Sequence, residues 1–456
     1  MGVGMPSTIR QAKATSIRPQ DAVNEYHSWG RYPHLGGSAV YKANWSDEIP
    51  GILDQVNISG CLPYGLGRSY GDSCLNEGRT LLDCSRLNRI LGFDKQSGRL
   101  WCEAGVSLGD ILEVAVPAGW FLPVTPGTKF VTIGGAIAND VHGKNHHRAG
   151  TFGRHVIGLH LYRSDVEHVA CSAGENSEIF SATIGGLGLT GIILSAEIQM
   201  KAIAGNVIAV ETLPFHSLDE FISISNESDL SLEYTVAWID CFSAERPRGI
   251  FFRGNHTSDS VHVKPKRFNP RVPFAFPEWV LNHFTVQAFN TIYYRWNSLK
   301  GGKGSVHFDP FFYPLDSIHN WNLIYGRSGF VQHQCVVPNS AREALEEMLR
   351  VVKKSGLGSF LAVLKRFGDR RSPGLLSFPR PGLTLALDFP MRGDKALRLL
   401  VSLDQIVLEA GGALYPAKDA RMSAAMFESS FPGWRDFRRF IDPKLSSSFW
   451  RRVTRE

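Results

Sequence analysis

The sequence predicts an α+β protein of more than one domain, on three observations. Short strands and short helices alternate up to about residue 204 in a stretch dense in glycine. Beyond residue 205 the helices become longer and amphipathic and are interleaved with strands. A chain of 456 residues is also too long for one hydrophobic core.

In the first stretch TLLDCS (80–85) reads as a strand and RILGFDKQSGRLWCEAG (89–105) as a hairpin, followed by a helix opened by Ser107 in SLGDILEVAV. After the small-residue run VTIGGAIANDVHGKNHHRAG (131–150) come a hairpin, GLHLYRSDVEHVACS, and a helix, NSEIFSAT, with Asn176 as its expected N-cap. Gly185, Gly186, Gly188 and Gly191 then mark a backbone bend before the strand IILSAEIQMKAI.

In the second stretch VIAVETLP, SLDEFISISN with a Ser217 to Glu220 capping box, TVAWIDCF and GIFFRG are expected to share a domain with the strands and helices nearer the C-terminus. FVQHQCVVP, SAREALEEMLRVVKKSG, SFLAVLKRFG, LTLALDFPM, DKALRLLVSLDQIVLEAGG and ALYPAKD run in the order βαββαβ, a split ferredoxin-like unit. Its first helix has an expected box from Ser340 to Glu343 and a stop at Gly356. Residues 261–305 mix prolines, aromatics and cations without sustained periodicity, which suggests a surface excursion or a mobile flap that touches lipid head groups. No internal repeat stands out.

Composition excludes several classes. Lys and Arg exceed Asp and Glu by 49 − 43 = 6, without a dense basic stripe, so no nucleic-acid partner is expected and an anionic substrate or membrane surface fits better. Seven cysteines without a CxxC pair suggest neither a disulfide framework nor a zinc ribbon. The N-terminal twenty residues lack an apolar signal-peptide core, and the uncharged tract 179–196 is broken by its glycines. The expected location is therefore cytoplasmic, or peripheral at the inner membrane.

Two glycine-rich stretches carry the chemistry. In PYGLGRSYGDS (63–73), glycines at 65, 67 and 71 let backbone N–H groups converge on a pyrophosphate, with Arg68 supplying charge. PGTKFVTIGGAIANDVHG (126–143) follows as a second such site. A metal at His142 and His146 is not expected, because Lys144 stands between them and no third acidic or cysteine ligand is near. Gln332 and Gln334 alternate along one strand and so face one side, which suggests a polar cavity. Taken alone, Lys365 and Lys418 read as ordinary strand-end lysines and Trp238 as packing.

Together these stretches resemble the vanillyl-alcohol-oxidase type of FAD-binding domain. With GGLGLTGII, FYPLD, FVQHQCVVP, LLSFPRPG and YPAKDAR, the resemblance narrows to the decaprenylphosphoryl-β-D-ribose oxidase family and covers nearly the whole chain after about residue 25. It implies a two-domain flavoprotein: a PCMH-type FAD-binding domain at 20–204, a substrate-binding domain with an antiparallel sheet and helices at 205–410, and a C-terminal segment, 411–456, returning to the FAD site. Within the second domain, the composition of 261–305 marks it as the candidate for a mobile, membrane-facing region.

The resemblance places FAD against Pro63, Gly65, Leu66, Gly67, Arg68, Ser69, Tyr70, Gly71, Asp72, Ser73, Gly127, Thr132, Ile133, Gly134, Gly135, Asn139, Asp140, Val141, His142, Ile193 and Tyr415. It gives catalytic roles to Lys418, His142 and Tyr70, and substrate contacts to Lys144, Trp238, Gln332, Gln334 and Lys365. Lys418 would either hold positive charge beside the flavin or, desolvated, act as base. Many members of the superfamily attach the flavin through a histidine in the first loop; here Arg68 and no histidine is present, so the FAD is expected to be non-covalent. Ala386 stands where mycobacterial members carry a cysteine.

The implied activity is FAD-dependent oxidation of the 2′-hydroxyl of a polyprenyl-phosphoryl β-D-ribose to the 2′-keto sugar. An NAD(P)H-dependent short-chain reductase would then act on that product, completing epimerisation to an arabinose donor for cell-envelope polysaccharide. The alternative is an FAD-dependent aldonolactone or alditol oxidase acting on a free sugar.

Overall fold

The computed structural model describes residues 20–21, 26–56, 60–258 and 270–455. β1 (Gln20–Asp21), β2 (Ala39–Lys42), β3 (Cys61–Tyr64) and β4 (Thr80–Asp83) form a sheet in the order β1-β2-β4-β3. β5 (Ile90–Asp94), β6 (Arg99–Glu103), β7 (Trp120–Phe121), β8 (Val156–Arg163), β9 (Glu167–Ser172), β10 (Ile192–Gln199) and β11 (Lys201–Ala202) follow. Five of these pair as β5-β6-β10-β8-β9, and β7 pairs with β11. The helices Leu108–Ala115 and Ile133–Ala138 pack on the five-stranded sheet through Leu108, Ile111, Leu112, Ile133 and Ile137, all buried.

Eight strands make the third sheet: β12 (Val207–Phe215), β13 (Tyr234–Ile239), β14 (Gly249–Thr257), β15 (Gly302–His307), β16 (Phe330–Val337), β17 (Ala362–Phe367), β18 (Gly382–Pro390) and β19 (Ala413–Leu414). Their order is β15-β12-β14-β13-β17-β18-β16-β19. The helices Glu343–Ser355 and Asp394–Glu409 interleave with β16 to β19 as the βαββαβ pattern requires. The helices Leu218–Asp229 and His283–Leu299 interleave with β12 to β15 in the same way. The eight-stranded sheet is therefore two units of one topology, joined through the second strand of each, β13 against β17. What the two units share is the order of their strands in the sheet.

Two local expectations are corrected, at Ser340 and at 261–305, and a third, Asn176, stands at its expected place without the expected bond. Ser340 does not cap: it lies in a 3₁₀ turn, Asn339–Ala341, and the helix starts at Glu343 behind Arg342, with its end at Gly356 in the left-handed region at φ 68°. Asn176 stands at the N-cap but is itself left-handed, and its amide donates to the Ala170 carbonyl at 2.8 Å. Residues 261–269 lie outside the described residues, but 283–299 form a 17-residue helix capped by Asn282, and β15 pairs with β12. This part of the excursion completes a sheet instead of hanging from it as a flap. Its periodicity is hard to read because large apolar residues occupy the outward face.

Among the described residues no helix is long and apolar enough to cross a membrane. The uncharged tract 179–196 is divided between the helix Ser177–Thr183 and β10, with Gly185, Gly188 and Gly191 at positive φ between them.

The C-terminal segment is clamped to the first stretch. Arg452 donates to Asp72 from Nε at 2.8 Å and from Nη2 at 2.7 Å, and from Nη2 to Asp419 at 2.9 Å. Both carboxylates are almost wholly buried. Arg452→Met would leave two buried anions without their cation, and urea unfolding is expected to show a loss of about 3 kcal/mol, the lower part of the range because the guanidinium is partly exposed. A loss under about 1 kcal/mol would mean that the clamp contributes no more than a surface pair.

Candidate active site

Side chains alternate across a strand, so each strand of the large sheet offers every second residue to one face. Gln332 and Gln334, Val363 and Lys365, and Thr384, Ala386 and Asp388 share such a face with Trp238, and it walls a cavity of about 970 Å³. Register aligns them in rows: Gln332 opposite Asp388, Gln334 opposite Ala386, Lys365 opposite Thr384, Trp238 opposite Val363.

The opposite wall is the loop after β3 together with residues 125–135 and the start of the helix Ile133–Ala138. Thr132 caps that helix, its Oγ1 accepting from the Gly135 N–H at 3.1 Å. Tyr64 donates from its hydroxyl to the His27 carbonyl at 2.8 Å, and the Gly67 backbone, at φ 60°, passes over that hydroxyl where a Cβ would sit 2.0 Å from it.

This wall fits FAD. Among the described residues no protein acceptor takes the backbone N–H groups of Leu66, Gly67, Arg68 or Ser69, as an anion cradle requires. Gly127 lines the cavity with open space where a Cβ would stand, so backbone approaches whatever occupies it. The volume lies near the top of the range of about 300–1,000 Å³ for small-molecule sites, as a dinucleotide with a substrate needs. Arg68 is held with its guanidinium 4.1 Å over the Trp29 ring while Nε donates to the Phe130 carbonyl at 3.1 Å.

The polar groups between the walls are desolvated and mostly cationic. Burial, helped by the neighbouring Lys365, lowers Lys144 to about 7, and burial lowers Lys365 to about 8. The Lys418 ammonium lies 3.5 Å over the Tyr70 ring; burial lowers its pKa against the pull of Asp388, and burial raises that of Asp388. Asp388 accepts at Oδ1 from the Gln332 amide. His142 is held well below the usual range by burial and by Lys365, His146 and Lys418, so it is neutral. Its Nε2 faces the Gln334 amide at 2.9 Å and its Nδ1 the Lys365 ammonium at 3.3 Å. The Gln334 amide nitrogen donates to Nε2, which leaves the ring proton for Nδ1. Lys144 donates to the Phe311 carbonyl and lies over that residue's ring.

The structure brings together the expected catalytic and substrate residues: Lys418, His142, Tyr70, Lys144, Trp238, Gln332, Gln334 and Lys365 all line the cavity. Trp238 offers only its ring face, since its Nε1 donates to the Phe360 carbonyl at 3.0 Å. Of the residues assigned to FAD, Pro63, Gly65, Leu66, Gly67, Arg68, Ser69, Tyr70, Ser73, Gly127, Thr132, Gly134, Gly135, Asn139, Val141, His142, Ile193 and Tyr415 line it as well.

Four others do not line it. Gly71 packs on the C-terminal segment, where a Cβ would meet the Asp419 carbonyl oxygen at 1.8 Å. Asp72 is committed to Arg452, and Ile133 is fully buried in the core. Asp140 accepts from the Gly153 N–H and from the Ser372 and Ser377 hydroxyls, tying the 372–377 loop to the cofactor wall.

His142 and His146 both pack against the Phe367 ring, at 4.8 and 4.5 Å between centroids. Sequence reasoning passed over Asp388, Thr384 and Trp29. A carboxylate in the apolar strand LTLALDFP, in phase with Ala386, was an available signal for Asp388.

An FAD binding domain family matches residues 39–172. Decaprenylphosphoryl-β-D-ribose oxidase of Mycolicibacterium smegmatis is 38% identical over 402 residues, 84% of this chain and 86% of that protein. An uncharacterized protein in the mprA 5′ region of Streptomyces coelicolor is 31% identical over 74% of this chain and 96% of its own length. Mouse L-gulonolactone oxidase is 30% identical over only 30% of each chain.

The depressed lysines predict a pH dependence. Lys144 and Lys365 are protonated below their lowered values of about 7 and 8, and an anion needs them charged. Binding of inorganic phosphate, followed by tryptophan fluorescence, is expected to be strongest below about pH 7 and to weaken about tenfold as the pH rises through about 8. In Lys365→Met the upper step should vanish; an unchanged profile would assign it to other groups.

Proposed function

Because this chain belongs to the decaprenylphosphoryl-β-D-ribose oxidase family of FAD-binding proteins, we propose that it oxidises the 2′-hydroxyl of a polyprenyl-phosphoryl β-D-ribose to the 2′-keto sugar. The observation that carries the proposal is one cavity with a glycine-rich cofactor wall on one side and desolvated lysines with Asp388 and neutral His142 on the other.

Oxidation of a secondary alcohol removes a hydride and a proton; FAD, when bound, supplies the hydride acceptor. The proton falls to the protein. Gln332 holds one oxygen of Asp388 and leaves Oδ2 for a hydroxyl, and burial raises the carboxylate toward the range useful for a base. In this reading Asp388 takes the proton as the carbonyl forms. Lys418, supported on the Tyr70 ring, holds positive charge beside the cofactor wall. His142, fixed between Gln334 and Lys365, orients a ribose hydroxyl, and Lys144 and Lys365 take the phosphate.

The cofactor is proposed to be held without a covalent bond, since Arg68 occupies the loop position in question and is itself anchored to Phe130. The keto product passes to an NAD(P)H-dependent short-chain reductase, completing epimerisation to the arabinose donor. A substrate with a prenyl tail places the chain at the inner membrane as a peripheral protein.

Anaerobic mixing with a soluble, short-chain prenyl-phosphoryl ribose is expected to bleach the flavin band. Bleaching and peroxide formation with free polyols, but none with the phosphoryl ribose, would favour a free-sugar oxidase. Asp388→Asn is expected to slow bleaching by about 100-fold or more while substrate affinity stays within a few-fold; parental speed would place the base elsewhere. Acid precipitation is expected to release all of the flavin to the supernatant, and yellow colour retained in the pellet would show a covalent link.

A further inference from the structure

The helix His283–Leu299 is amphipathic in the reverse of the usual sense. Val286, Asn290 and Tyr294 turn inward, while Phe284, Ile292, Trp296 and Leu299 are 79%, 67%, 58% and 88% exposed. At 100° per residue these four, with Ala288 and Phe289, fall on one arc, in which the charged members are cations: Arg295 and, just past the end, Lys300, whose ammonium lies 4.1 Å over the Trp296 ring. Phe274 and Trp279, ahead of the helix, are also largely exposed. The helix contains no acidic residue, and Glu278, which precedes it, is paired with Arg392 at 2.8 Å.

A solvated protein surface does not favour so many large apolar side chains on one helix face. Aromatic rings and long aliphatic side chains flanked by cations, with no anion among them, match the boundary between head groups and acyl chains, where cations meet anionic lipid. The same helix reaches the site: Phe289 and Tyr293 line the cavity, and the Tyr293 ring packs on Trp238 at 4.8 Å between centroids.

We propose that the outward face of this helix, with Phe274 and Trp279, is a docking surface for an anionic lipid bilayer, which brings the apolar end of the cavity to the membrane. The inference rests on the proposed lipid-linked substrate and adds where contact is made. The prenyl tail then stays in the bilayer while the sugar phosphate passes Tyr293 and Trp238 toward the lysines.

The test uses the flavin-loaded full chain and its Phe284→Ser/Ile292→Ser/Trp296→Ser and Arg295→Gln/Lys300→Gln variants. All of these positions are exposed, and retained flavin absorption checks the fold. Flotation with phosphatidylglycerol–phosphatidylcholine vesicles is expected to carry the parent protein, with weaker binding to phosphatidylcholine alone. The apolar variant should lose at least about tenfold in vesicle affinity. The charge variant should lose its preference for phosphatidylglycerol. Flavin bleaching by the soluble short-chain substrate should be unchanged in both.

Vesicle binding equal to that of the parent in the apolar variant would overturn the proposal. So would a dimer in the absence of lipid that the apolar variant dissolves, since a second copy would then cover the face. Failure of the parent to bleach with the soluble substrate, with vesicle binding intact, would instead overturn the substrate reading and leave the docking surface standing.

Discussion

Three ammonium groups and the Arg68 guanidinium line the same cavity as two carboxylates, Asp316 and Asp388, and the rest of the site depends on that imbalance. Burial drives Lys144, Lys365 and Lys418 toward their neutral forms, and the charge of Lys365 adds to this at the other two. Groups left so are costly unless something compensates them. Part of the compensation is internal: the Tyr70 face under Lys418, the Phe311 carbonyl and ring at Lys144, and His142 kept neutral beside Lys365. The remainder asks for an anion, and a sugar phosphate beside a flavin supplies one.

Sheet geometry makes this arrangement durable. Residues that meet in the cavity are far apart in sequence but adjacent in register, so antiparallel pairing sets Gln332 against Asp388 and Lys365 beside Thr384. A slip of one residue in β16 or β18 would turn every one of these side chains to the opposite face. The duplication gives the sheet its width. Joining the two units through β13 and β17 makes one continuous wall, along which Trp238 continues the row begun by Gln334, Ala386 and Val363.

The site was largely legible in the sequence and the periphery less so, for a physical reason. Glycine-rich loops announce themselves because few residues can follow their backbone paths, and Gly67 at positive φ is such a case. The same loops mislead about neighbours: Gly71, Asp72, Ile133 and Asp140 fall inside the motifs but serve packing and clamps to the C-terminal segment and the 372–377 loop. The helix His283–Leu299 was not legible because the rule that apolar residues point inward fails there. Asp388 was overlooked because a strand that is otherwise apolar reads as core, and only the register opposite Gln332 gives its carboxylate a purpose.

The cavity's two ends also bear on which substrate suits it. Its cationic part would serve any anionic sugar, but past Trp238 the lining turns to Phe252, Phe289, Tyr293, Phe360 and Leu361. A free polyol would leave those surfaces in contact with water and gain nothing from them, whereas a prenyl chain removes them from it. Burial of apolar surface at roughly 25 cal/mol per Å² makes even a few isoprene units a larger contribution than a single neutral hydrogen bond. A pocket built for a free sugar has no use for that wall; one that must hold a lipid-linked sugar at the bilayer needs both ends.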